Sequence, residues 1–364
     1  MHVKIDSDIG MAYFGVIFDA GGIWEDKGRR GCSHLMEHLM CKTYEYTYPK
    51  MRRLDVTDNA FTSDNKVVFF ASGLNECVAQ LSQTILDELI QQKNLWTEEQ
   101  FETEKKIVIQ EYSDVFNDQL SGAWENAMRS RYGYCSAIGL RKDIEEFTYE
   151  DSLKMAKEVF SVPRKIVTVG DHSVQYNGRY QEKPWPWRVK FDQHDIEQES
   201  TPKENQTVVT LLHKNKLNVK QSAVYTLLRS CLAEGLESPL YQEIREKRGL
   251  AYAVYCDHCV VADDIIPAVL VQTLNEKVEE LDETLNGFFS TSMGDLITEE
   301  RFNDCKEGWL FKKKKIEILP HAGVLSTVVA DYNPFDGLED VSREDVLGFG
   351  DEFFSIGNFE MIMG

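Results

Sequence analysis

The chain has 364 residues, of which 42% are hydrophobic and 11% aromatic, enough for about two domains with substantial cores. Its net charge of −21 would repel nucleic acid and anionic membrane surfaces, so neither is expected as a partner. Basic or unfolded peptides remain compatible, although solubility alone also accounts for the charge.

No run of 18 apolar residues occurs, so no membrane span is expected. The opening stretch is broken by Asp6, Asp8 and Asp19 and alternates like a strand, unlike a signal peptide. The eight cysteines are scattered, which predicts free thiols in a reducing cytoplasm.

Taken in order, residues 11–18 (MAYFGVIF) predict a strand and Gly21-Gly22 a turn. Residues 31–41 read as a short helix and 66–72 as a buried strand. Residues 75–92 have a helical period, with Val78, Leu81, Ile85, Leu86 and Leu89 on one side. Thr97 and Thr148 each start a further helix, and 164–171 is a closing strand. Residues 172–205 hold Pro184, Pro186 and Pro202 and read as a surface linker. A second half follows: strand 206–212, helices 220–233 and 238–248, strands 250–256 and 266–272, helices 276–291 and 297–314, and a strand near 358–363. The predicted class is α+β, with helices on mostly antiparallel sheets. The expected domains are 1–175 and 206–364, joined by a linker at 176–205.

The chemistry concentrates in His34-Leu-Met-Glu37-His38. Residues four apart share a helix face, so His34 and His38 can aim two imidazoles at one ion. Glu37 stands beside them, close enough to take a proton from water at that ion. This is the mirrored order of the HExxH zinc peptidase motif. Two unrelated histidines on a solvated helix would give the same five letters. Such a match arises by chance in roughly 1–2% of shuffled sequences, so the motif alone does not carry the reading. A catalytic zinc needs a third protein ligand. Glu104 and Glu111 lie seven apart and share a helix face, with Ile107, Val108 and Ile109 between them as core-forming residues.

These blocks resemble the insulinase-like, or pitrilysin-like, M16 metallopeptidases. AGGIWEDKGRRGCSHLMEHLMCKT resembles the family's opening block, and Asp58-Asn-Ala-Phe-Thr-Ser63 its Asn-Ala-x-Thr edge strand. TEKKIVIQEY resembles its third-ligand helix, and 139–171 the close of its first domain. SPLYQEIREKRGLAYAVY and LITEERFNDCKEGWL resemble blocks of its second domain.

The resemblance implies two similar αβ domains facing each other as a clamshell around a chamber. It implies one Zn²⁺ per chain on His34, His38 and Glu111, with Glu104 orienting a histidine and Glu37 as general base. Arg245 and Tyr252 would hold the peptide or stabilise the oxyanion, and Asn59 and Ala60 would bind substrate by strand addition. The implied activity is hydrolysis of short or unfolded peptides through a metal-bound water. A homodimer is compatible with it. The rival readings are a non-catalytic peptide-binding or structural subunit, which usually loses ligands or base, and one half of a heteromer. Three departures stand out: Cys41-Lys42-Thr43 lacks the family's usual glycine, Leu54-Asp-Val-Thr57 stands where glycines usually precede the edge strand, and the segment around 172–205 is short.

Cys256-Asp-His258-Cys259 has no second Cys/His pair nearby and reads as strand or loop packing. Lys312 to Lys315 reads as a solvated helix end.

Overall fold

A computed structural model describes residues 1–5, 10–133, 136–181, 205–261, 264–318, 335 and 337–363. Most of the expected linker, 182–204, lies outside the described residues. The chain begins with β1 (His2–Ile5) and β2 (Met11–Phe18), then α1 (Cys32–Cys41) and α2 (Tyr48–Arg53). Next come β3 (Thr57–Thr62), β4 (Val67–Leu74), α3 (Asn75–Gln91), α4 (Glu98–Asn117) and α5 (Gln119–Tyr132). Helices α6 (Arg141–Glu146) and α7 (Tyr149–Glu158) precede β5 (Lys165–Val169). After β6 (Gln206–His213) come α8 (Val219–Ala233), the short α9 (Pro239–Tyr241) and a π-helix at Gln242–Lys247. The long β7 (Ala251–Val261) and β8 (Asp264–Leu274) follow. Then come α10 (Val278–Phe289), α11 (Met293–Leu296), α12 (Glu299–Ile318), α13 (Arg343–Phe353) and β9 (Phe359–Met363).

The contacts divide into two compact units. One holds residues 1–113 with 131–181, and the other holds 114–130, 205–315 and 337–363. The first contains a five-stranded sheet in the order β1-β5-β2-β4-β3. Only the β1–β5 pair is parallel, and the remaining pairs are antiparallel, as the α+β reading requires. The central β2 is buried from Ala12 to Phe18. A continuous apolar run rather than an alternating one is what a strand covered on both faces needs. Tyr13, Ile17, Val68, Val167 and Val169 form one core of this unit, with Phe61 and Phe70 against it. Helix α3 buries Val78, Leu81, Ile85, Leu86 and Leu89, the stripe that its sequence period predicts.

The second unit contains an antiparallel sheet in the order β7-β8-β6-β9. Its alternating β6 residues serve two cores. Val209 and Leu211 join a large cluster with Leu228, Leu232, Leu285 and Phe289. Val208 and Leu212 face Ala123 and Ala127 of α5 instead. Helix α5, which no sequence signal announced, thus covers one face of this sheet. Cys256 lies buried on β7, 3.7 Å from the Tyr225 hydroxyl, the packing expected at that position. Among the described residues no helix is long and apolar enough to cross a membrane.

Candidate metal centre

Helix α1 turns Leu35, Met36, Leu39 and Met40 into the core and leaves His34, Glu37 and His38 half-buried on its other side. Two acids from outside the helix hold its start: Glu25 binds amides of the N-cap and first turn, and Asp143 binds the loop that leads into it. Glu25 accepts from Gly31 N at 2.6 Å and from Ser33 N at 2.5 Å. Asp143, buried at the start of α6, accepts from Gly28 N at 2.8 Å and Arg30 N at 3.1 Å. Helix N-termini present unpaired N–H groups, and Glu25 accepts from two amides there, although burial pushes its carboxyl up to about 7. Gly31 caps the helix at φ 87°. A Cβ at Gly139, itself at φ 61°, would run into the Gly31 backbone. Both positions therefore need glycine for conformational and for steric reasons.

The two imidazoles of α1 sit with ring centroids 5.1 Å apart. Helix α4 brings the third group. Phe101, Glu104, Val108, Tyr112 and Phe116 are its buried positions, three or four residues apart, so the helix presses this face inward. Ile107 is 42% exposed, because residue 107 falls outside that stripe; the expectation that it forms core is corrected here. Glu111, one turn beyond, places Oε2 3.3 Å from His34 Nε2 and 3.7 Å from His38 Nε2. The His34 hydrogen bond holds the Glu111 carboxyl below the usual carboxylate range, so it is ionised and ready to ligate.

Among the described residues, His34, His38 and Glu111 form a group whose donor atoms lie within 4.8 Å of one another. Zinc bonds of about 2.0–2.1 Å at a tetrahedral angle separate donors by about 3.3–3.4 Å. The two donor separations to Glu111 fall at or just above that range. Two imidazoles and one carboxylate are also a donor set of catalytic zinc, with a fourth position left for water. The residues therefore fit the ion.

Around this trio lie partners that fix its members. Glu104 Oε2 is 3.1 Å from His38 Nδ1, which leaves Nε2 of that ring for a metal. Lys42 Nζ, one helical turn after His38, is 2.8 Å from Glu104 Oε1. His34 Nδ1, by contrast, is buried without a hydrogen-bond partner among the described residues. Glu37 Oε2 accepts a 2.7 Å hydrogen bond from the Thr62 hydroxyl on β3.

Strand β3 is an edge of its sheet, paired through Asn59↔Phe70 and Ala60↔Phe69 on one side. Asn59 is exposed, and its side-chain oxygen accepts from Ala60 N at 2.9 Å.

Arg245 and Tyr252 lie in the second unit and meet there. Tyr252 is the extra residue of a β-bulge in β7, where Ala251 pairs with Thr273 and Ala253 with Gln272. A bulge re-aims a side chain, and Tyr252 is 77% exposed. Arg245 projects from the π-helix that precedes the strand. Its guanidinium lies 4.5 Å from the Tyr252 ring and 4.9 Å from the Tyr241 ring, and it donates to the Tyr252 carbonyl at 3.2 Å.

Sequence reasoning gave no role to Lys42, Thr62, Glu25 or Asp143. For two of them a signal was present: Lys42 stands four residues after His38, at the C-terminal cap of α1, and Thr62 shares the strand face of Ala60.

Residues 4–133 match the family model described as insulinase (peptidase family M16), and residues 147–308 match the one described as peptidase M16 inactive domain. A Bacillus subtilis (strain 168) protein named uncharacterized zinc protease YmxG is 24% identical over 314 residues, 79% of this chain and 76% of its own length. The crystal structure of a protease from Helicobacter pylori matches with a TM-score of 0.73 at 18% identity, covering 100% of this chain and 95% of that one. The peptidase M16 inactive domain from Pseudomonas fluorescens gives a TM-score of 0.73 at 17% identity, covering 100% and 94%. At these identities the two solved structures speak to the fold alone.

Proposed function

The chain belongs to the M16, or insulinase, peptidase family, and from that premise we propose that it is a zinc-dependent peptidase that hydrolyses short or unfolded peptides. The observation that carries the reading is the approach of His34 Nε2 and His38 Nε2 to one oxygen of Glu111, at 3.3 and 3.7 Å. Its relatives' names, which include zinc protease, support the same metal. Bound there, zinc would lower the pKa of a water molecule and polarise the scissile carbonyl.

The chain's own residues would do the rest. His34, His38 and Glu111 are the ligands, and Glu104 holds His38 with Nε2 facing the ion. Glu37 accepts the proton of the attacking water and hands it to the departing amine. Asn59 and Ala60 bind the peptide backbone along the edge of β3, which selects extended, unfolded segments. Arg245 and Tyr252 hold the peptide or donate to the oxyanion. Cys32, Cys41, Cys77, Cys231, Cys256 and Cys305 are free thiols, which supports a reducing compartment such as the cytoplasm.

A second reading has its own support. Residues 147–308 match a family described as inactive, which favours peptide binding without hydrolysis. Metal analysis combined with a peptide-library digest, with and without chelator, separates the two. We expect about one zinc per chain and chelator-sensitive cleavage. Glu37→Gln should keep the zinc and lose activity by about 10²- to 10⁴-fold. Cleavage by Glu37→Gln at the wild-type rate would remove Glu37 from the mechanism. A zinc-loaded wild type that binds peptides and never cuts them would establish the second reading.

A further inference from the structure

We propose that Thr62 is the positioning residue of the Glu37 carboxylate, and that it ties the base to the strand assigned to the substrate. The inference rests on the reading of Glu37 as general base and deepens it.

Thr62 Oγ1 donates to Glu37 Oε2 at 2.7 Å. That length is usual for O–H···O, and a carboxylate acceptor strengthens the bond. A glutamate on a half-exposed helix face is otherwise loose, because its long side chain has many rotamers to lose. Threonine is a stiff partner, since its β-branch restricts χ1.

The backbone beneath Thr62 is fixed as well. Thr62 pairs with Val67, and Ser63 N donates to Lys66 O at 2.8 Å, closing the β3–β4 hairpin. The Ser63 hydroxyl accepts from Asn65 N at 3.3 Å and Lys66 N at 3.1 Å. Residues 21–24 then clamp the hairpin tip to α1. Ile23 N donates to Asp64 O at 2.9 Å, and Trp24 Nε1 donates to Asn65 O at 2.8 Å. Gly21 N donates to Ser33 Oγ, on α1 itself, at 2.9 Å. A Cβ at Gly21 would collide with the Ser63 and Asp64 carbonyls. Both ends of the Thr62–Glu37 bond are thus anchored to one network.

The consequence for proton transfer is specific. Thr62 occupies Oε2, so Oε1 is left to take the proton from water and return it to the leaving nitrogen. The threonine proton stays on Oγ1 throughout. Ala60 lies two residues before Thr62, on the same strand face. A peptide pairing with β3 therefore loads the element that also steers the base.

The test compares wild type, Thr62→Val and Thr62→Ser on an unstructured fluorogenic peptide, with zinc content and melting temperature measured for each. Thr62→Val should lower kcat about 10- to 100-fold, with KM within about twofold and zinc unchanged. Thr62→Ser restores the hydroxyl and should recover most of kcat. The proposal is overturned if Thr62→Val keeps kcat within about twofold of wild type, if Thr62→Ser is no better than Thr62→Val, or if the loss follows lost zinc. A zinc-loaded wild type without activity would instead remove the base role of Glu37, and the proposal with it.

Discussion

Lys42 reaches Glu104 at 2.8 Å between Nζ and Oε1, while the other oxygen of the same carboxylate faces His38 Nδ1 at 3.1 Å. The three side chains form a relay from cation to carboxylate to imidazole. The lysine orients Glu104, and Glu104 fixes which nitrogen of His38 is free. Outer partners of this kind typically carry 10- to 100-fold of metal affinity. Lys42→Met should weaken zinc binding by about tenfold, at the lower end, because Glu104 remains. Chelator competition reads this directly, and an unchanged zinc affinity would show the relay to be incidental.

Glu111→Ala removes the only carboxylate of the trio and should abolish stoichiometric zinc. A ligand at 100 times its Kd stabilises the folded state by about 2.7 kcal/mol. Chelator should therefore lower the melting temperature of zinc-loaded wild type and leave Glu111→Ala unmoved. Equal shifts in both proteins would mean that the metal sits elsewhere.

Asp143→Ala should cost about 1–3 kcal/mol in urea unfolding, because the buried Arg30 amide loses its acceptor. Asp143→Asn keeps one acceptor oxygen and should cost less. A loss near zero for both variants would mean that water replaces the carboxylate without penalty.

The Arg245 guanidinium lies 4.9 Å from the Tyr241 ring and 4.5 Å from the Tyr252 ring, and it donates to the Tyr252 carbonyl. A lysine has a single ammonium and cannot meet two rings and a carbonyl with a guanidinium's spread of donors. Arg245→Lys and Tyr252→Ala should each lower kcat/KM by about tenfold or more, with zinc content unchanged. Wild-type kcat/KM in both would dismiss the pair from peptide recognition.

The features legible in the sequence are those written in local periodicity. The strands β2, β4, β6 and β8, the stripe of α3 and the His34–His38 spacing all announce themselves within a dozen residues. The pairing of Glu111 with that motif needed the family resemblance, since 73 positions separate it from His38. The parallel β1–β5 pair, the π-helix under Arg245 and the bulge at Tyr252 left no such mark. Each depends on what a distant partner strand or helix offers. The carboxylates of Glu25 and Asp143 were silent for the same reason. An acid that ties down the start of a helix from another segment of the chain looks in sequence like any surface acid.

The exposed margin of β3 has a further consequence. Among the described residues this strand has a neighbour on one side only, so its outward amides and carbonyls would accept any extended backbone, including that of a second copy. Like charge opposes that encounter: at −21 per chain, two copies repel strongly when ions are scarce. Around 0.1 M salt that repulsion reaches only about 10 Å, and added electrolyte shortens it further. Self-association and the proposed peptide binding would thus share one row of peptide groups, and light scattering should rise with ionic strength until a competing peptide fills the row.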